Sequence, residues 1–226
     1  MSSVNRATIS KSLSVSFAVG SYGTAFGAAA VAAGFSVWQA CLLSLLTFTG
    51  ASQFAVIGVL GAGGTAITGI ATASLLGMRN AIYSMIMKPI LNLSGGKKLI
   101  ATQITIDESV AVSTAEEVRG AAAMRHGFWL TGGGVYLFWN LFTFLGALGA
   151  EAIGDPSVWG LDAAVPAAFL ALVWPRLKSE DDYVLAISAA VLAIALTPII
   201  AAGLPIIATA LLAVAFARLK AGSINE

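Results

Sequence analysis

The chain has 226 residues; 58% are apolar, only 10% are charged, the net charge is +1, and the mean hydropathy is +0.89. That balance excludes a nucleic-acid binder and a polybasic membrane-surface protein, and it is too poor in charge to clothe a soluble domain. The single cysteine, Cys41, excludes an intramolecular disulfide and a thiolate metal site. It lies in an apolar segment and reads as a small packing residue.

Residues 1–12 form an N-terminal tail carrying Arg6 and Lys11. From Ser12 to Met78 there is no Asp, Glu, Lys, Arg or His. A helix of that length would reach roughly 100 Å, whereas a hydrocarbon core is about 30 Å thick. The run must therefore fold back, as about three membrane crossings. The first is expected over Leu13–Ala33, too long for a signal-peptide core of ~7–15 residues, and Gly34-Phe35-Ser36 ends it. The second is expected over Val37–Leu60, with Gly50-Ala51-Ser52-Gln53 in its middle. Small residues there permit close helix approach or local unwinding, and Gln53 brings a donor and an acceptor to mid-membrane, for another helix or for a substrate. Gly61–Gly64 breaks the chain again. The third span is expected over Thr65–Leu91, with Arg79 and Asn80 deep inside it. A guanidinium at that depth needs a carboxylate, carbonyls or water. It reads either as a structural ion pair or as a clamp for an anionic substrate group.

Asn92–Lys98 is a loop. The next segment, Leu99–Val118, is long enough to cross but too polar to face lipid: it holds Gln103, Thr105, Asp107, Glu108, Ser109, Ser113, Thr114, Glu116 and Glu117. On a continuous helix Gln103, Asp107 and Thr114 fall within about 40° of one another, while Glu108 points elsewhere. This reads as one wall of a water-lined cavity, whose carboxylate carries a proton or pairs with Arg79, or as an amphipathic surface helix. Spans follow at His126–Ala150, Val158–Trp174 (Asp162 near its start), Tyr183–Ile199 and Gly203–Ala217, then a C-terminal tail, 219–226. The expected fold is one all-α polytopic membrane helix bundle over 1–226, with seven spans plus one polar helical segment. Arg176, Lys178, Arg218 and Lys220 place the C-terminus in the cytoplasm. The side of the N-terminus turns on whether 99–118 crosses. A gapped echo between Gly27–Trp38 and Gly146–Trp159 raises an inverted repeat, a common transporter device.

Enzyme readings fail on the residues. No G-x-S-x-G surrounds Ser52, and the only histidine, His126, sits at a span end beside Arg125. An aspartyl-protease dyad would need Asp107 and Asp162 to share a proton, and nothing in the sequence fixes their distance. No phosphate-binding loop supports ATP drive, and neither cofactor nor metal is called for.

Taken in order, Gly50-Ala51-Ser52-Gln53-Phe54, Met78-Arg79-Asn80-Ala81-Ile82-Tyr83-Ser84, Asp107-Glu108-Ser109, and Gly160-Leu161-Asp162 with Pro166-Ala167-Ala168-Phe169 closely resemble the AzlC-type family. That family is the large subunit of branched-chain amino-acid exporters, and the resemblance runs from about Leu13 to Leu219. Members read roughly Asn-Leu-Arg-His where this chain has Gly77-Met78-Arg79-Asn80, a departure that touches substrate choice. The resemblance implies export of valine, leucine, isoleucine and sometimes methionine across the inner membrane, with a small AzlD-type partner subunit. Expected substrate-site residues are Ser52, Gln53, Phe54, Arg79, Asn80, Trp139 and Asn140, with Phe48 beside them. Helices broken near Gly50–Gln53 would offer backbone groups to the substrate. Asp107, Glu108 and Asp162 are the expected proton-coupling residues. The rival reading is a non-transporting scaffold subunit whose polar residues hold a partner.

Overall fold

The computed structural model describes residues 6–153, 158 and 164–224, and every element among them is helical. The chain opens with α1 (Arg6–Ser21) and α2 (Gly23–Ala32), nearly one continuous helix, which runs parallel to the 33-residue α8 (Ala121–Ile153). Both start at one end of the molecule, where the Arg119 guanidinium donates to Thr8 Oγ1 (2.7 Å) and pairs with Glu116 (2.5 Å). Farther along, Ser16 Oγ donates to the Thr131 carbonyl at 3.3 Å. Higher still the two backbones touch. A side chain at Gly27 would collide with the Thr143 carbonyl, and one at Gly146 with the backbone of Thr24. Small residues let apolar helices approach this closely where no water is available to drive them together.

Against these helices pack two hairpins that enter from opposite ends. The first is α3 (Val37–Leu46) and α4 (Gly50–Gly61), broken at Thr47–Thr49. Ser36 caps α3 in a reciprocal box with Gln39. α4 then climbs back: a Cβ at Gly61 would lie 2.9 Å from the Ala33 methyl, beside the point where the hairpin began. Gly34 (φ 89°) and Gly63 (φ 78°) take the left-handed backbone needed at its two ends. The single crossing expected over Val37–Leu60 is thus corrected to a fold-back. Length and hydropathy are the same for both arrangements, so the sequence pattern alone does not separate them.

α5 (Ala66–Leu91) descends the full height, from Thr72, whose hydroxyl donates to the Gly203 carbonyl, to Ile90, whose carbonyl accepts from Arg125 Nε at 2.7 Å. Asn92 ends it in the left-handed conformation (φ 46°). The second hairpin, α6 (Gly96–Gln103) and α7 (Asp107–Thr114), rises from this lower end and returns to it. Ser113 Oγ reaches the Met124 carbonyl near the foot of α8, while Ile104 at the tip packs against Gly132. The continuous helix expected over 99–118 is corrected too. Three β-branched residues, Ile104-Thr105-Ile106, form the break. Ser109 Oγ holds it by accepting from the Ile106 amide and donating to the Ile104 carbonyl. Gln103, Asp107 and Thr114 therefore do not form one stripe.

α9 (Ala164–Val173) and a short 3₁₀ turn, Trp174–Arg176, lead to α10 (Glu180–Leu196) and α11 (Leu204–Ile224). Ser179 and Asp182 cap α10 reciprocally. The Lys178 and Ser179 amides and the Ser179 hydroxyl hold the Asp182 carboxyl below the usual carboxylate range. Lys220 pairs with Asp181, so the C-terminal end of α11 lies beside the start of α10. α1–α2 and α8 are long and apolar enough to cross a membrane.

The fold-back is open to direct measurement. In a Cys41→Ser background, single cysteines at Phe35 and Ala62 are expected to react with an impermeant maleimide from one side of the membrane. Cysteines at Ser94 and Ala115 should react from the other. Labelling of the Phe35 and Ala62 positions from opposite sides would restore a crossing helix.

Candidate functional site

A helix that stops inside an apolar protein leaves carbonyls at its C-terminal end without amide partners. α3 stops at Leu46, and side chains meet its last carbonyls. Gln53 Nε2 donates to Ser44 O and Thr47 O, both at 3.2 Å. Gln103 Nε2, from the tip of the other hairpin, donates to Leu45 O at 2.9 Å and Leu46 O at 3.3 Å. Tyr136 Oη adds a third donor to Leu45 O at 3.1 Å. The Gln53 oxygen accepts from the Trp139 indole N–H at 3.0 Å. An indole is a donor only, so it fixes which end of the amide is oxygen. Gln53 is fully buried with both ends engaged. It locks the break; it does not line a cavity.

Beyond the break a cavity of about 300 Å³ lies between the two hairpin tips. The N-terminus of α4 forms its upper side. Thr49 provides no side-chain cap, and Gly50 and Ala51 line the space. A Cβ at Gly50 would lie 3.1 Å from the Trp139 ring, so glycine sets how closely backbone and indole approach. Ser52, expected at the site, turns away and donates to the Ala73 carbonyl of α5 at 2.8 Å. Phe48, Phe54, Trp139 and Phe169 form the apolar wall, with Phe54 and Phe169 edge to face at 6.0 Å.

The N-terminus of α7 forms the lower side, and Asp107 and Glu108 occupy its first turn, where carboxylates complement the helix dipole. Asp107 Oδ2 receives two guanidiniums: Arg79 Nη1 from α5 at 3.1 Å and Arg176 Nη2 from the 3₁₀ turn at 2.7 Å. Arg79 Nε is buried without a hydrogen-bond partner, leaving a donor free beside the cavity. Glu108 lines the cavity and has no ion pair among the described residues. Two carboxylates and two guanidiniums give the site a formal balance of charge. The bare α4 N-terminus adds partial positive charge at the upper side, while the two carboxylates and two guanidiniums gather at the lower.

The expected residues thus divide. Phe54, Arg79, Trp139, Asp107 and Glu108 meet at one cavity. Gln53 and Ser52 support it from behind. Asn140 donates to the Tyr136 carbonyl at 2.8 Å, and it and Asn80 each keep a buried carbonyl oxygen unpartnered; neither lines the cavity. Asp162 lies outside the described residues. Sequence reasoning missed Arg176, read only as an orientation marker, because nothing local ties it to a carboxylate 69 positions away. It also missed Tyr136 and the role of Gln103. Their signal, polar tips in apolar surroundings, was present but unspecific.

The Gln53 network yields a stability test. Gln53→Leu would leave the Ser44 and Thr47 carbonyls and the Trp139 N–H unpaired, at about 1–3 kcal/mol for each buried group left unsatisfied. A marked fall in the thermal midpoint of the purified protein is expected. An unchanged midpoint would mean the α3 end is held by Gln103 and Tyr136 alone.

Comparison with known proteins comes down on the same stretch of chain. The sequence profile of the family described as AzlC protein matches residues 14–153, which include both hairpins and most of the cavity wall. An uncharacterized membrane protein of Archaeoglobus fulgidus is 36% identical over 157 residues, covering 68% of this chain and 67% of that protein. No solved structure matches the chain.

Proposed function

This chain belongs to the AzlC family of membrane proteins, a family usually linked to amino-acid transport, and on that premise we propose that it is the larger subunit of a secondary exporter of branched-chain amino acids. One observation carries the proposal: a single cavity holds an uncapped half-helix N-terminus, a free arginine N–H, a glutamate with no ion pair among the described residues, and aromatic rings. That is the complement of a zwitterion with an aliphatic side chain. The substrate carboxylate would take the Gly50 and Ala51 amides and Arg79. Its ammonium would face Glu108, and its side chain would rest on Phe48, Phe54 and Trp139.

The proton role goes to Glu108. Asp107 is engaged by two arginines and reads as the latch that ties α5 and the 174–176 turn to the lower tip. The proposed topology has six spans with two re-entrant hairpins, where the sequence pattern suggested seven spans. The pair of hairpin plus following helix, Val37–Leu91 and then Gly96–Ile153, runs in opposite senses, which supports an inverted repeat with boundaries other than the Gly27–Trp38 echo. The loops at the upper end, 33–36, 61–65 and 197–203, contain no Lys or Arg. The lower end is therefore proposed to face the cytoplasm with both termini. The small AzlD-type partner stays part of the proposal, and α10, which buries no residue in this chain, offers it a face.

Reporter fusions before Met1 and after Glu226 are expected to be active only in the cytoplasm; a periplasmic signal from either end overturns the orientation. In proteoliposomes holding this chain and the small subunit, labelled leucine is expected to exchange and to flow with a pH gradient. Arg79→Lys should raise the half-saturating leucine concentration about tenfold, the loss of roughly 1.5 kcal/mol of charged hydrogen bonding. Glu108→Gln should spare exchange and abolish gradient-driven flux. Gradient-driven flux that survives in Glu108→Gln removes the proton role. No exchange of any aliphatic amino acid with both subunits present would leave the scaffold reading.

A further inference from the structure

A second cavity, about 230 Å³, opens at the lower end between the last turns of α5 and the length of α6. Nothing in the transport reading uses it. Of the eight residues of α6 only Ala101 is buried, so this arm of the lower hairpin stands off from its neighbours, and the gap is the cavity. The walls are apolar where they are deep. Met87, Leu91 and Ala101 are buried there, and Met85, 74% exposed, flanks the opening. The hydroxyls of Thr102 and Thr105 are spent on α6 carbonyls, those of Lys98 and Ala101 at 2.9 and 2.7 Å, so they add little polarity.

The mouth is different. Lys88 from the last turn of α5 and Lys98 from the first turn of α6 both line it. Neither ammonium meets a carboxylate among the described residues. No Asp or Glu precedes Asp107 in the chain, and of the nearest acids in sequence Asp107 is held by two arginines and Glu108 lines the other cavity. Two unpaired cations therefore sit over an apolar slot at the end of a membrane protein. Inorganic phosphate would answer the lysines and leave the slot empty. A zwitterionic lipid would fill the slot but bring its own cation to the lysines. An anionic phospholipid answers both, with its phosphate at the mouth and an acyl chain along Met85 and Leu91.

We propose that this cleft is a binding site for one anionic phospholipid, which fills the gap between α5 and α6 and braces the lower hairpin. The consequence reaches the transport site through α6, whose far end carries Gln103 on the α3 carbonyls.

The test uses the full chain purified in neutral detergent and titrated with phosphatidylglycerol, phosphatidylcholine, or sn-glycerol 3-phosphate, with bound lipid counted by native mass spectrometry and the thermal midpoint read in parallel. Phosphatidylglycerol is expected to bind and raise the midpoint, and the other two are not. Lys88→Gln with Lys98→Gln should weaken phosphatidylglycerol binding about tenfold or more, each single change by less. Lys97→Gln, adjacent but not lining the cavity, should leave it unchanged. Lys88→Arg with Lys98→Arg should retain binding, which separates loss of charge from loss of fold. Equal binding of phosphatidylcholine, an undiminished response in the double glutamine variant, or the same midpoint shift from sn-glycerol 3-phosphate alone would each overturn the proposal. None of these readings depends on transport, so the lipid site can fail while the transport reading stands.

Discussion

Everything at the centre of this molecule depends on how the carbonyl end of α3 is satisfied. Stopping a helix in apolar surroundings is costly, because no water is there to take the freed backbone groups. The chain meets the cost with side chains drawn from three directions: Gln53 across the break, Gln103 from the opposite hairpin, and Tyr136 from α8. Each of these donors is fixed in turn. Gln53 is oriented by Trp139, and Gln103 stands at the last turn of α6. The break is consequently the junction of three separate elements, and the tip of one hairpin cannot move without disturbing the other.

That junction also decides where the charges go. Two half-helices begin within one cavity and point away from each other, so both positive dipole ends face it. The lower one carries its own compensation in Asp107 and Glu108, while the upper one has none. Arg79 and Arg176 add two further positive charges and converge on a single oxygen of Asp107. Asp107 is thus occupied on behalf of the protein, and the upper amides, Arg79 Nε and Glu108 remain for something else. A visitor bearing one negative and one positive group would complete the set without leaving a charge unmatched.

Much of this was legible in the residues. The uncharged run from Ser12 to Met78 forced a chain that folds back within a membrane, and a deep arginine demanded a partner, which Asp107 supplies as one of the expected possibilities. Phe54 and Trp139 were recognised as apolar contacts and do line the cavity. The failures share one cause. Val37–Leu60 has the length and hydropathy of a crossing, and a hairpin of two half-helices has the same length and hydropathy, so periodicity does not tell them apart. The wheel drawn through Gln103, Asp107 and Thr114 failed because it assumed a helix unbroken through Ile104-Thr105-Ile106. Gln53 was weighed evenly between structure and substrate, and long-range geometry tipped it to structure: a bond to Ser44, nine residues back, closes only if the chain reverses.

The same reversal removes the conflict in charge. If 99–118 is a helix that does not cross, Arg6 and Lys11 fall on the side opposite the C-terminal cations; if it crosses, Lys88, Lys97 and Lys98 do. With both hairpins returning to the end they came from, the start of α1, the end of α5, both feet of the lower hairpin and the start of α8 share one face, as the Thr8–Arg119 and Ile90–Arg125 contacts require. The opposite loops carry no cation at all. Lys/Arg bias between the two sides of a membrane produces a segregation of this kind. The two breaks, the site between them and the gathering of cations at one end are then consequences of a single topological choice.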